Sequence, residues 1–206
     1  IGLAEYLLNK RNLDRAELED LAKDILSEAR RMLELVQNLL DVNAIERGQI
    51  KLQPESCDLA EIARSVIHQF RANTDAKQQT LSLDLADATA LAWADPSLIR
   101  QILDNLVSNA VKFSPPGKAI RLGVTQTPDG ITCEVQDQGP GLSAEDQKRL
   151  FGKFVRLSAR PTGGEHSTGL GLSIVKKLVE AMNGSVWCES EPGHGAKFVI
   201  KLPPAR

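Results

Sequence analysis

The 206-residue chain carries 25 Lys and Arg against 27 Asp and Glu, a formal net charge of −2, and so lacks the basic excess of a nucleic-acid binder. At 42% hydrophobic residues it can build a core for one domain plus an appendage, or for two small ones. No apolar run is long enough to cross a bilayer, and the unclustered Cys57, Cys133 and Cys188 read as reduced core thiols of a cytosolic protein.

The apolar pattern is already running at "IGLAEYLL", which predicts the last turns of a helix and a chain cut from something longer. After the polar "NKRNLD", Asp14 and Glu17 form a D-x-x-E start signal. A long helix is expected from there to about Arg47, with Gly48 as its stop. Leu18, Ala22, Ile25, Ala29, Met32, Val36 and Leu39 make one apolar seam on it, and Leu26, Leu33 and Leu40 a second. Two seams on one helix predict a bundle of more than two helices.

"GQIKLQPESCD" breaks the period and sets a domain boundary near residue 50, leaving 1–50 and 51–206. Asp58 and Glu61 start a second amphipathic helix, and "TLSLDLA" and "LAWAD" read as strands. Pro96 opens the helix that ends in "DNLVSNAVKFS". "AIRLGVTQT" and "ITCEVQD" form a hairpin around Asp129–Gly130. Then come a short helix in "SAEDQKRLFGKF", a polar loop over 155–167 and a helix in "LGLSIVKKLVEAMNG". Two final strands are joined by "PGHG". This order predicts an α+β fold, a two-layer α/β sandwich with a mixed sheet, preceded by a long helix from an antiparallel hairpin.

Four stretches carry chemistry together. In "DNLVSNAVKFS", Asn105 and Asn109 stack one turn apart, with Lys112 in the next turn. Amides are poor helix formers and costly to bury alone, so the face is either a solvated one or one that looks at a cation and a phosphate. "DQGPGL" ends a strand, putting Asp137 at its tip as an acceptor for a ligand amino group, with Gly139 and Gly141 allowing close backbone approach. "TGLGLS" opens a helix whose free amides can cradle phosphate. The polar loop between them is a candidate lid, and Arg156 at its start a candidate phosphate contact.

In this order and spacing, residues 52–206 resemble the catalytic ATP-binding domain of sensor histidine kinases, the ATPase fold shared with gyrase, MutL and the heat-shock chaperones. "DNLVSNAVKFS" is similar to the family's asparagine box, and "DQGPGL" and "TGLGLSIVKKLVEAMNG" to its glycine boxes. "FGKFVR" is similar to its phenylalanine box. The resemblance implies ATP and Mg²⁺ as cofactors. Asn109 would ligate the metal with Asn105 beside it, and Lys112 would contact phosphate. Phe113 would lie by the adenine and Asp137 would receive its amino group. Gly139, Gly141, Arg156, Gly169, Leu170, Gly171, Leu172 and Ser173 would complete the ATP site. Residues 1–50 resemble the closing part of the dimerisation and phosphotransfer hairpin. That implies a homodimer and a response-regulator receiver domain as partners. The implied activity is transfer of the ATP γ-phosphoryl group to a histidine and thence to an aspartate.

Two positions refine the expectation. Hydrolysing members of the wider family carry a glutamate one turn before the metal asparagine; here Asn105 cannot accept a proton, which favours a kinase over an ATPase clamp. Ala196 stands where a hydroxyl residue is frequent, which predicts weaker nucleotide binding and keeps a non-catalytic nucleotide-binding or dimerisation module as an alternative. His68, His166 and His194 lack both metal-ligand spacing and the family's acceptor context. The acceptor histidine is expected upstream of Ile1.

Overall fold

The computed structural model describes residues 14–47, 51–87, 89–155, 157–163, 165 and 168–205. The chain divides into two units, Ile1–Arg47 and Gly48–Arg206. The helical end expected at residues 1–8 and the stop at Gly48 lie outside the described residues.

In the first unit, helix α1 (Arg15–Glu46) runs for 32 residues, about 48 Å at helical rise. Its start is a reciprocal capping box. The Glu17 amide donates to Asp14 Oδ1 at 2.8 Å, and the Asp14 amide donates to Glu17 Oε2 at 3.1 Å. Two orphan donors are thereby satisfied. Both apolar seams remain exposed, at Leu18, Met32, Val36 and Leu39 on one and Leu26, Leu33 and Leu40 on the other.

The second unit is an α+β sandwich with a mixed sheet, as the sequence predicts. Its elements are β1 (Glu55–Asp58), α2 (Leu59–Ala76), β2 (Thr80–Leu85), β3 (Leu91–Ala94), α3 (Pro96–Phe113), β4 (Ala119–Thr127), β5 (Gly130–Gln136), α4 (Ala144–Arg149), α5 (Gly171–Ala181), β6 (Ser185–Ser190) and β7 (Ala196–Leu202). Five strands pair in the order β2-β4-β5-β7-β6. The β2–β4 pair is parallel and the others antiparallel.

Strand alternation separates the two faces of this sheet. Ile120, Leu122, Ile131, Cys133, Val135 and Ile200 are buried under the helices. The other face carries a chain of ion pairs from Asp84 through Arg121 and Glu134 to Lys197 and Glu189. Helix α3 packs between α2 and α5, burying Ile99, Ile102, Leu103, Leu106 and Val107. Its spacing of apolar residues therefore fixes which side of it stays free for the site.

Two local expectations needed correction. Strand β1 lies within the stretch expected only as a domain boundary; it pairs antiparallel with β3, and only its Cys57 is buried. Helix α4 stops at Arg149 and does not extend to Phe154. Leu150 turns into the core, and Phe154 takes a left-handed φ of 56°, a conformation no helix continues through. Helix α2, whose start the sequence marks, runs to Ala76, and in its last turn Thr74 turns its hydroxyl back to the Arg71 carbonyl at 2.9 Å. No helix among the described residues is long and apolar enough to cross a membrane.

Candidate nucleotide site

Helix α3 begins with a strong cap. Asp95 Oδ1 accepts from the Ser97 amide at 3.0 Å and the Leu98 amide at 3.3 Å, with Pro96 in the first turn. The helix is thus fixed at its start and wedged along its length, and its last turns present Asn105, Asn109, Lys112 and Phe113, all half-buried.

The two amides behave differently. Asn105 Nδ2 donates to the Gln101 carbonyl at 2.9 Å. Its Oδ1 lies where a Cβ at Gly171 would approach to 2.6 Å, so the start of α5 rests directly on it. Asn109 lines a cavity, and among the described residues its amide has no hydrogen-bond partner. Lys112 likewise has no ion-pair partner among them. Asn105 is a fixed spacer between two helices; Asn109 and Lys112 have groups available to a ligand.

The cavity is open to solvent and encloses about 420 Å³ counting its open mouth. Of the residues expected from sequence, Asn109, Phe113, Asp137, Gly141 and Leu172 line it. The sequence reading missed Pro140, Leu142, Leu157, Ala159 and Phe198, which give it apolar walls. These are ordinary core and loop residues, and only strand pairing and loop closure bring them to one place. Ala196 also lines the cavity.

Asp137 is the buried polar residue of this wall. Its Oδ1 accepts from the Gly139 amide at 2.8 Å and the Ala196 amide at 3.2 Å. Among the described residues no donor reaches Oδ2. Burial pushes the carboxyl up, and the two amides partly oppose it. The result is one held carboxyl oxygen and one free of donors among the described residues, an acceptor in an apolar surround. Cys188, on the neighbouring edge strand, is pushed up to about 12 by burial, with the Asp137 and Glu189 charges adding. It is an inert thiol at neutral pH.

The remaining expected residues surround this cavity. Gly169 packs against the Val155 carbonyl. Leu170 is fully buried, and Ser173 donates its hydroxyl back to the Leu170 carbonyl at 2.7 Å. What residues 171–173 can offer a phosphate is their backbone amides, the unpaired donors of the first turn of α5. Arg156 lies outside the described residues.

The fit to a magnesium nucleotide rests on the donor set. The described residues hold no cluster of three or more His, Cys, Asp or Glu suited to a metal by themselves. Asn109 lines the cavity and carries a neutral amide oxygen, which suits Mg²⁺, an ion that takes few protein ligands and completes its shell with phosphate oxygens and water.

Residues 94–206 match the model of the histidine kinase-, DNA gyrase B-, and HSP90-like ATPase family. The chain belongs to that ATPase family. Its relatives within the family are sensor histidine kinases. The circadian input-output histidine kinase CikA of Synechococcus elongatus is 36% identical over 183 residues, 88% of this chain and 24% of that protein. The sensor protein kinase WalK of Staphylococcus aureus is 32% identical over 191 residues, 90% of this chain and 46% of that protein. The structure of full-length ShkA in complex with AMPPNP is 28% identical with a TM-score of 0.79, over 94% of this chain and 40% of ShkA. The chain therefore spans about a quarter to a half of the length of these relatives, and the ATPase-family match supports an ATP-binding kinase core within it.

Proposed function

We propose that this chain is the ATP-binding kinase core of a sensor histidine kinase. It holds Mg²⁺-ATP and presents the γ-phosphoryl group to a histidine that is none of His68, His166 and His194. A response-regulator aspartate then receives the group. Residues 51–206 form the catalytic ATP-binding domain, and 1–50 belong to a dimerisation and phosphotransfer hairpin that pairs with a second copy at the cytoplasmic side of signalling.

The observation that carries this reading is Asp137, which lines an apolar-walled cavity, is held by two amides on one oxygen and has no donor on the other among the described residues. That oxygen accepts the adenine amino group, while Phe113 and Leu172 cover the ring. Asn109 supplies the metal ligand, and Lys112 with the amides of residues 171–173 neutralises and orients the phosphate chain. When bound, Mg²⁺ supplies the charge that the triphosphate needs for loose phosphoryl transfer. Asn105, neutral and held by Gln101, cannot remove a proton from water, which supports transfer to another nucleophile over hydrolysis.

The test is transfer in trans. Labelled ATP and this chain are mixed with a longer form that carries the acceptor histidine but the Asn109→Ala site. Acid-labile label on the longer form is expected, and none on the chain alone. Rapid release of inorganic phosphate without labelled protein would contradict the reading.

A further inference from the structure

Lys77 follows the last turn of α2, outside every motif that marks the nucleotide site. Its Nζ nevertheless joins two parts of that site. It donates to the Val111 carbonyl at 2.8 Å and, more weakly, to the Lys112 carbonyl at 3.4 Å. These are orphan acceptors in the last turn of α3, where a cation is also favoured by the helix dipole. On its other side Nζ donates to Thr162 Oγ1 at 2.9 Å and to Glu165 Oε1 at 2.8 Å.

The ion pair is sheltered, with side-chain exposures of 15% for Lys77 and 29% for Glu165. Burial pushes the Glu165 carboxyl up, but the Lys77 ammonium and the Gly163 amide outweigh it and hold it below the usual range. Thr162 reinforces the junction, its amide donating to the Lys112 carbonyl at 2.9 Å. Its hydroxyl lies 2.8 Å from the Ser114 carbonyl, which it can donate to.

At the near end of the same loop, the Ser158 amide donates to Asp146 Oδ1 at 3.2 Å. Leu157 and Ala159, beside that anchor, line the cavity. A loop that walls the cavity is therefore held at one end to α4 and at the other to the helix bearing Asn109 and Lys112.

We propose that Lys77 and Glu165 are positioning residues for the nucleotide site, forming a latch that keeps the loop bearing Leu157, Ala159 and Thr162 over a bound nucleoside triphosphate. The latch rests on the reading of this cavity as a nucleotide site. It acts on entry and exit of the ligand and touches neither phosphate nor ring. Lys77 also caps α3, so its loss affects folding as well, whereas the hydrogen bonds of Glu165 among the described residues go to Lys77 and to the Gly163 amide of its own loop.

Stopped-flow kinetics with a fluorescent Mg²⁺-ATP analogue separate these effects. Glu165→Ala is expected to raise the dissociation rate about fivefold, with a faster association rate and a smaller drop in melting temperature than Lys77→Met gives. Lys77→Met should raise the dissociation rate at least as much while lowering the melting temperature. The double variant should dissociate no faster than Lys77→Met alone, because both substitutions break one contact. Parental association and dissociation rates in Glu165→Ala would overturn the latch while leaving the nucleotide reading intact. Failure of the parent chain to bind the analogue would overturn both.

Discussion

Asp137 and Ala196 are joined twice: the Asp137 amide donates to the Ala196 carbonyl at 2.8 Å, and the Ala196 amide donates to Asp137 Oδ1 at 3.2 Å. The end of β5 is thereby tied to the start of β7, and the carboxylate is aimed by backbone alone. Residue 196 contributes to this hold through its amide, so the missing hydroxyl leaves the orientation of Asp137 in place. Beside it, Gly195 has a φ of +77°, and a Cβ built there would overlap the Asp137 carbonyl.

Asp137→Asn should separate stability from binding. Burial raises the carboxyl above its unfolded value, so its favourable contribution is fully present below the unfolded pKa and is lost as pH rises through the folded pKa. The amide variant carries no charge to bury and keeps an oxygen for Gly139 and Ala196. Urea melts from about pH 4 to about pH 8 should show the variant gaining on the parent as pH rises. Its nitrogen, however, faces the cavity where an acceptor is needed, so adenine nucleotide affinity should fall by about 2 kcal/mol or more.

Gly195→Ala should cost about 2–4 kcal/mol in urea unfolding, from left-handed strain plus the collision with Asp137. Gly193→Ala is the control. Its φ is +85° but nothing lies within 4 Å of the added carbon, so about 1–2 kcal/mol of backbone strain is expected there. Equal losses at the two positions would show that the Asp137 contact is not what requires glycine.

At Gly171 the added methyl meets Asn105 Oδ1 at 2.6 Å, in a helical first turn that otherwise welcomes alanine. Gly171→Ala is therefore expected to leave the melting temperature within about 3 °C of the parent. The shift of α5 against Asn105 should weaken Mg²⁺-nucleotide binding about tenfold in a titration.

Much of this site was legible in the sequence because its chemistry is local. Asn105, Asn109 and Lys112 sit on one helix, and the apolar residues between them fix the free face. Asp137 and its glycines share one turn. What was not legible depends on chain closure. Strand β1 has one buried residue and pairs with β3, whose Ala92 lies opposite Cys57. Lys77 sits in a polar helix end whose partner Glu165 is 88 residues away, and no spacing rule reaches that far. Phe198 and Ala159 reach the cavity only through tertiary packing.

The exposed seams of α1 make a separate prediction. Leu33 is 69% exposed and Val36 53%, on a helix with both apolar stripes uncovered. Self-association through these seams is expected at about 100 μM, a concentration at which roughly 5–6 kcal/mol of association free energy is visible. Leu33→Glu with Val36→Glu should give a monomer in sedimentation equilibrium with unchanged nucleotide affinity. A strictly monomeric parent would remove α1 as an association surface.

The most direct measurement is a calorimetric titration of a non-hydrolysable ATP analogue into the intact chain, with Mg²⁺ and then with EDTA, repeated on Asn109→Ala. Saturable one-to-one binding that weakens about tenfold or more when Mg²⁺ is removed is expected for the parent. Asn109→Ala should bind as weakly with Mg²⁺ as the parent does without it. Parental affinity and unchanged Mg²⁺ dependence in Asn109→Ala, or no binding by the parent at all, would contradict the account.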